Sequence, residues 1–273
     1  MSINLLTSFG KQLALGYTHA SFVKGKTSNQ WNWDGAAHVV LTSIVTQDLN
    51  TYDRAAASDR YGTPVELQDT IQTIDIKQDK SFSIVIDAGN NTQQGMLKRA
   101  GEVMRAQVDE KVVPLIDKYA MGVYADNAGT SITNFTTISK SNIITALPNI
   151  EDAMSDELVP LDARFAFMPN SYVSMFREAL TNCDNITDRL LLKGIVGKLG
   201  SINIIGVPAS WMPEKVNILA WQKDAVVLPE QITSCVVHEN PQGINGCVLE
   251  GRYLFDAAVV NAHSKGCVKV TAA

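Results

Sequence analysis

Apolar residues recur every three or four positions over residues 91–127: Leu97, Ala100, Met104, Val108, Val112, Leu115, Tyr119 and Val123. That spacing lays them along one stripe of an α-helix. Most of the charges, Lys98, Arg99, Glu102, Asp109, Glu110 and Asp117, fall elsewhere around the cylinder. Arg99 with Glu102, and Arg105 with Asp109, stand where opposite charges meet on a helix surface. Asn91 and Gln94 are placed to cap the start, and Asn127 and Gly129 supply a stop. Helical throughout, the stretch would span roughly 50 Å. Pro114 removes a backbone donor inside it, which predicts a kink there or two abutting helices.

Ahead of this stretch the period changes from 3.6 to two. Gln72, Ile74 and Ile76 alternate with Thr73, Asp75 and Lys77; past a turn at 77–80, Phe82, Ile84 and Ile86 alternate with Ser81 and Ser83. The pattern predicts a hairpin with Ile74, Ile76, Phe82, Ile84 and Ile86 on one face. Two strands alone are marginal in water, so that face needs a partner, either the subunit's own core or another subunit. Residues 1–35 hold scattered apolar anchors without a sustained period, and predict an extended arm that must hide Trp31 and Trp33 against something. Residues 39–45 fit a strand or the start of a short helix, and 51–63 a polar connector.

Beyond the long helix, 131–137 is a Thr-rich connection. Residues 147–158 predict a helix with Pro148 in its first turn. A strand follows at 164–168, then a helix capped by Asn170. Buried strands are expected at 202–207 and 217–221, and further strands at 226–228, 235–238, 248–255, 257–260 and 267–270. Strands at both ends around a helical middle place the chain in the α+β class.

The chain has 273 residues, enough for one large core or two lobes. With 23 basic against 28 acidic residues, a net charge of −5 and no basic run, it lacks the footprint of a nucleic-acid groove or an anionic-lipid surface. Cys183, Cys235, Cys247 and Cys267 form no Cys-x-x-Cys pair, and no secretory segment precedes them, so reduced thiols made in a cytoplasm are expected. No apolar run has the length of a membrane span.

Signals for catalysis, cofactors or metals are weak. Gly194-Ile195-Val196-Gly197-Lys198 lacks the spacing of a phosphate loop and the hydroxyl residue after its lysine, so its glycines are read as shaping a turn. His238-Glu239 has no second histidine at zinc-protease spacing. His19, His38 and His263 are scattered, and no Gly-x-Ser-x-Gly elbow occurs. No catalytic, cofactor-binding or metal-ligating residue is assigned.

Five blocks, in order, resemble the major capsid proteins of tailed bacteriophages, which have the Hong Kong 97 type fold. They are Glu66-Leu67-Gln68-Asp69 within 64–70, Lys80-Ser81-Phe82-Ser83-Ile84 within 77–87, and Val113-Pro114-Leu115-Ile116-Asp117 within 113–119. The last two are Gly197-Lys198-Leu199-Gly200 within 197–208 and Glu250-Gly251-Arg252-Tyr253 within 250–259. The resemblance covers roughly residues 61–270. It implies an N-terminal arm at 1–35, the start of a peripheral P-domain at 36–61, an extended E-loop at 62–90, and the P-domain spine helix at 91–136. An axial A-domain would follow at 137–228, with the strands of 229–273 returning mainly to the P-domain.

By that resemblance the chain would be a structural protein of the virion and not an enzyme. It would assemble with itself, as hexamers and pentamers, into an icosahedral shell around packaged double-stranded DNA, without sequence-specific contacts or a membrane. A non-basic lining suits such a container, because phosphate contacts would hold the polymer in place. The start at Met1 implies a separate scaffolding protein, and a portal is implied as well. Trp31, Trp33, Ile74, Ile76, Phe82, Ile84 and Ile86 are the expected inter-subunit contacts, with Pro114 the expected kink of the spine. Some members of that family crosslink subunits through a Lys and an Asn; Lys77 and Lys80 at the expected hairpin tip are the candidates here, and no crosslink is inferred. An encapsulin-type protein compartment and a small-molecule α+β enzyme are the alternatives.

Overall fold

A computed structural model of the chain describes residues 20–31, 38–55, 58–93, 99–180 and 195–272. The first elements are β1 (His38–Val45), β2 (Gln68–Asp75), β3 (Gln78–Asp87) and α1 (Ala88–Gln93). Next come α2 (Ala100–Gln107), a π-helical turn (Val108–Val112) and α3 (Val113–Asp126), then β4 (Thr130–Ile132), α4 (Ile143–Asp156), β5 (Arg164–Pro169) and α5 (Asn170–Leu180). The chain continues with β6 (Ile195–Leu199), β7 (Ile202–Val207), β8 (Val216–Gln222) and β9 (Val226–Val227). It ends with β10 (Glu230–Glu239), β11 (Gly246–Phe255), β12 (Ala258–Val259) and β13 (Cys267–Thr271).

Six of these strands form one mixed sheet in the order β4-β13-β8-β5-β7-β6. Its central strands are apolar at nearly every position, because both faces are covered. Phe167, Leu219, Trp221 and Cys267 point to one side, against Ala120, Met121 and Tyr124 of α3 and Val23 of the N-terminal segment. Ala166, Met168, Ile218, Ala220, Val268 and Val270 point to the other, against α4 and α5. The period of two in each strand thus builds two cores on one sheet. Asn217 closes one end: its amide donates to the carbonyls of Phe135 and Thr136 at 2.9 and 3.0 Å and accepts from the Tyr172 hydroxyl at 3.0 Å.

A second sheet, β10-β11-β3, is antiparallel and lies under α2 and the start of α3. Ile84, Ile86 and Leu249 pack on Met104, while Tyr253 and Phe255 pack on Ile116. Helix and π turn run without a break for 27 residues. The π turn sits directly before Pro114, and Val113 donates across it to the Val108 carbonyl. It adds a residue to one turn. The buried face therefore resumes at Ile116, while Leu115, a member of the expected stripe, is about half exposed. Widening of the helix, rather than a break into two helices, is what accompanies the proline.

Several expectations are corrected. β2 and β3 do not pair with each other: β2 pairs with β1, and β3 with β11. Asn91 lies inside α1, which begins at Ala88, so it is not the cap. Residues 131–137 include most of β4. α4 starts at Ile143, so Pro148 sits in its second turn. Gly197 lies at a strand irregularity in β6; the turn is made by Gly200 at φ +55°, where a side chain would run into the Glu151 carboxylate. The last strand, β13, joins the six-stranded sheet, and only β10 and β11 return to the sheet under the helix.

Candidate assembly surface

β1 and β2 form a ribbon of their own, with Val39 opposite Ile74, Thr42 opposite Ile71 and Ile44 opposite Asp69. β-branched residues make up at least half of each strand, which suits a pleated ribbon. The two faces differ. Leu41 and Ile74 at the base are buried against Val227 and Val260, with Trp31, Val39 and Ile76 packed around them. On the opposite face Val40, Ile44 and Ile71 are exposed, Ile71 by 70%.

The connection, residues 46–67, adds exposed Leu49, Tyr61, Val65 and Leu67. Its described residues, 46–55 and 58–67, form no helix or strand but are tied internally. Asp53 N–H donates to the Arg60 carbonyl at 3.1 Å, Asn50 Nδ2 to the Tyr61 carbonyl at 3.2 Å, and the rings of Tyr52 and Tyr61 meet at 5.0 Å. Most of the large apolar side chains exposed among the described residues lie on this one ribbon and its loop. A contiguous apolar surface on a protruding element marks an interaction site.

The residues expected to make inter-subunit contacts are elsewhere. Ile74 and Ile86 are buried within the subunit, in different clusters. Trp31 and Ile76 pack beside Ile74, and Ile84 is half-buried beside Ile86. Phe82 lies over Gly251 on β11 and stacks on Tyr253 with ring centroids 6.3 Å apart; a Cβ at position 251 would collide with its ring. Trp33 lies outside the described residues. The single shared face expected for Ile74, Ile76, Phe82, Ile84 and Ile86 does not exist, because the two strands belong to different sheets. The signal for the ribbon is present in the sequence: the β-branched run 39–45, which fits a strand or a short helix by itself, is the partner of β2.

The body is joined by buried polar hubs. Asp117 of α3 is 1% exposed and accepts from Ser21 Oγ and from the Phe22 N–H, both at 2.6 Å. Burial raises its carboxyl above the ordinary value, while these donors and Lys26 oppose the rise. Trp221 Nε1 donates to the Lys26 carbonyl at 2.9 Å, and Ser28 N–H to that of Val226 at 2.8 Å. Val23 is fully buried. Residues 20–31 of the expected free arm are therefore part of the subunit core.

Asp256 is the second hub. It accepts from the Tyr119 hydroxyl at 2.7 Å and the Lys77 N–H at 3.0 Å, tying α3 to the link between β2 and β3. Burial and then the Asp256 carboxylate push the Tyr119 hydroxyl up to about 12. In the third, Arg164 is fully buried and donates to the carbonyls of Val159 and Pro160 at 2.6 and 2.9 Å and to Ser155 and Ser201. These groups hold together segments that are distant in the chain. Among the described residues, no group of His, Cys, Asp or Glu converges as metal ligands would, and no helix is long and apolar enough to cross a membrane.

No protein-family model matches the chain, and no curated protein matches it. Solved structures do. The capsid structure of the cyanophage P-SCSP1u is similar with a TM-score of 0.79 at 11% identity, over 99% of this chain and 93% of that one. A chain from Mycobacterium phage Che8 gives 0.73 at 16% identity, over 99% and 98%. The capsid of the Myoviridae phage XM1 gives 0.66 at 12%, over 100% and 99%. The chain has the fold of tailed-phage capsid proteins, the Hong Kong 97 type, along essentially its whole length.

Proposed function

We propose that this chain is the major capsid protein of a tailed bacteriophage, a structural protein of the virion that assembles with itself into an icosahedral shell around double-stranded DNA. The observation that carries the reading is the β1–β2 ribbon. A subunit with this fold holds out an apolar surface that its own core does not cover, and a second copy is the partner a homo-oligomeric shell supplies. On this reading the E-loop is residues 38–75, not 62–90. The P-domain is the long helix with the β10-β11-β3 sheet, and the A-domain is the six-stranded sheet with α4 and α5. A separate scaffolding protein and a portal complete the proposed set of partners. The three buried hubs serve to keep the body rigid while the ribbon makes contacts.

Electron microscopy and sedimentation of the purified protein, alone and co-expressed with its neighbouring genes, test the reading. Closed shells holding DNA or scaffold are the expected result. Shells holding a protein cargo would favour a compartment instead, and a stable species of about the subunit mass under every condition would overturn it.

A further inference from the structure

The ribbon joins the body over a small area, so something must fix the angle at which it leaves. Apolar contact at Leu41 and Ile74 holds its base but is not directional. Gln72, directly opposite Leu41 on the inward face, is. Its Nε2 donates to the Val259 carbonyl at 2.9 Å, and its Oε1 accepts from the Asn261 N–H at 2.8 Å. One side-chain amide thus bonds to both peptide groups flanking Val260, as a residue of a parallel strand would. Val260 itself packs in the cluster that holds Ile74. Two antiparallel bonds from one planar group define an orientation that neither defines alone. A few residues along, the Lys77 N–H on Asp256 fixes the other end of the link to β3.

We propose that Gln72 is a positioning residue: its amide clamps the β1–β2 ribbon to residues 259–261 and sets the ribbon's angle to the body. Resting on the capsid reading, that angle selects the curvature at which copies join, and hence the shell they close. Gln72 is in neither of the body's two main cores, and Val259, which belongs to one of them, contributes only its backbone carbonyl to the clamp.

Three variants test this. Gln72→Leu keeps the bulk and removes both bonds. Gln72→Glu is nearly isosteric; at neutral pH its carboxylate accepts from Asn261 but meets the Val259 carbonyl with no proton to donate. Protonated, below about pH 4.3, it again donates and accepts. Gln72→Asn retains the amide one methylene short. Hydrogen exchange at the Asn261 amide reads the clamp, and the distance distribution between spin labels carried on unnatural amino acids at Ser58 and Asp126 reads the pose.

In Gln72→Leu, exchange at Asn261 should rise about tenfold and the distance distribution broaden, with the melting transition of the body unchanged. Gln72→Asn should behave alike; Gln72→Glu at pH 7 should broaden the distances while Asn261 stays protected, and below about pH 4 it should match the wild type at the same pH. Particles from Gln72→Leu should vary in size or fail to close. An unbroadened distribution in Gln72→Leu would overturn the proposal, as would shells of wild-type size and uniformity. If the wild-type chain builds no shell at all, the capsid reading fails, while the label distances still decide whether Gln72 sets the pose.

Discussion

Two antiparallel ribbons diverge from the same short link at Ile76 and Lys77, and they have opposite fates. β3 runs onto β11 and lies under the long helix, where Ile84 and Ile86 find Leu249 and Met104. β2 turns back onto β1, and only its base touches the body. Their sequences look alike, with alternating Ile and Thr or Ser. What differs is whether a third strand and a helix are available to cover one face. Covered, a ribbon is a piece of core; uncovered, it is an interaction surface with little stake in the stability of its own subunit.

Deletions and substitutions separate the two, and the largest effect belongs to neither ribbon. Removing residues 1–31 takes away Val23 and the donors that satisfy Asp117, and uncovers Trp221. We expect a loss of roughly 4 kcal/mol and a melting temperature lower by about 10 °C in calorimetry. An unchanged melt would return that segment to the status of a free arm. Within β2, Ile74→Ala should cost roughly 2–5 kcal/mol in denaturant unfolding, since it opens a cavity at the ribbon's base. Ile71→Ser, three residues earlier and on the other face, should shift subunit stability by no more than about 0.5 kcal/mol while sharply lowering particle yield. Equal destabilisation by the two changes would erase the distinction drawn here.

Pro114→Ala should have a smaller effect on the subunit, under about 1 kcal/mol by thermal melting, because the π turn already accommodates the missing donor. A large stabilisation would mean that the proline strains the helix. The smallest effect is a pH dependence. Asp117 binds its proton more tightly folded than unfolded, because burial outweighs its donors. Its contribution is therefore fullest below the ordinary value of 3.8 and falls as pH rises through the folded value. Relative to Asp117→Asn, the wild type should gain stability as pH is lowered towards 4; a gain in the opposite direction would show that its donors dominate.

The sequence alone determined the elements whose period is long or whose strands are covered on both faces. The helical period from Ala100 to Tyr119, interrupted at Leu115 by the π turn, the apolar runs at β5, β7 and β8, and the α+β order all follow from local spacing and burial. Five short blocks were enough to reach the fold. Pairing was not legible. A period of two says which residues share a face of a strand, and nothing about which strand lies alongside, so the pattern alone pairs β2 with β3, its neighbour in the chain. Only the three-dimensional arrangement brings β11, more than 150 residues later, beside β3 and leaves β2 to β1. The same holds for Asp117 and Gln72. Each is an ordinary polar residue in an amphipathic pattern until the fold sets Ser21 and Phe22, or Val259 and Asn261, within hydrogen-bond reach. Long-range hydrogen bonds leave no period in the sequence, and only packing decides which polar side chain finds a distant backbone.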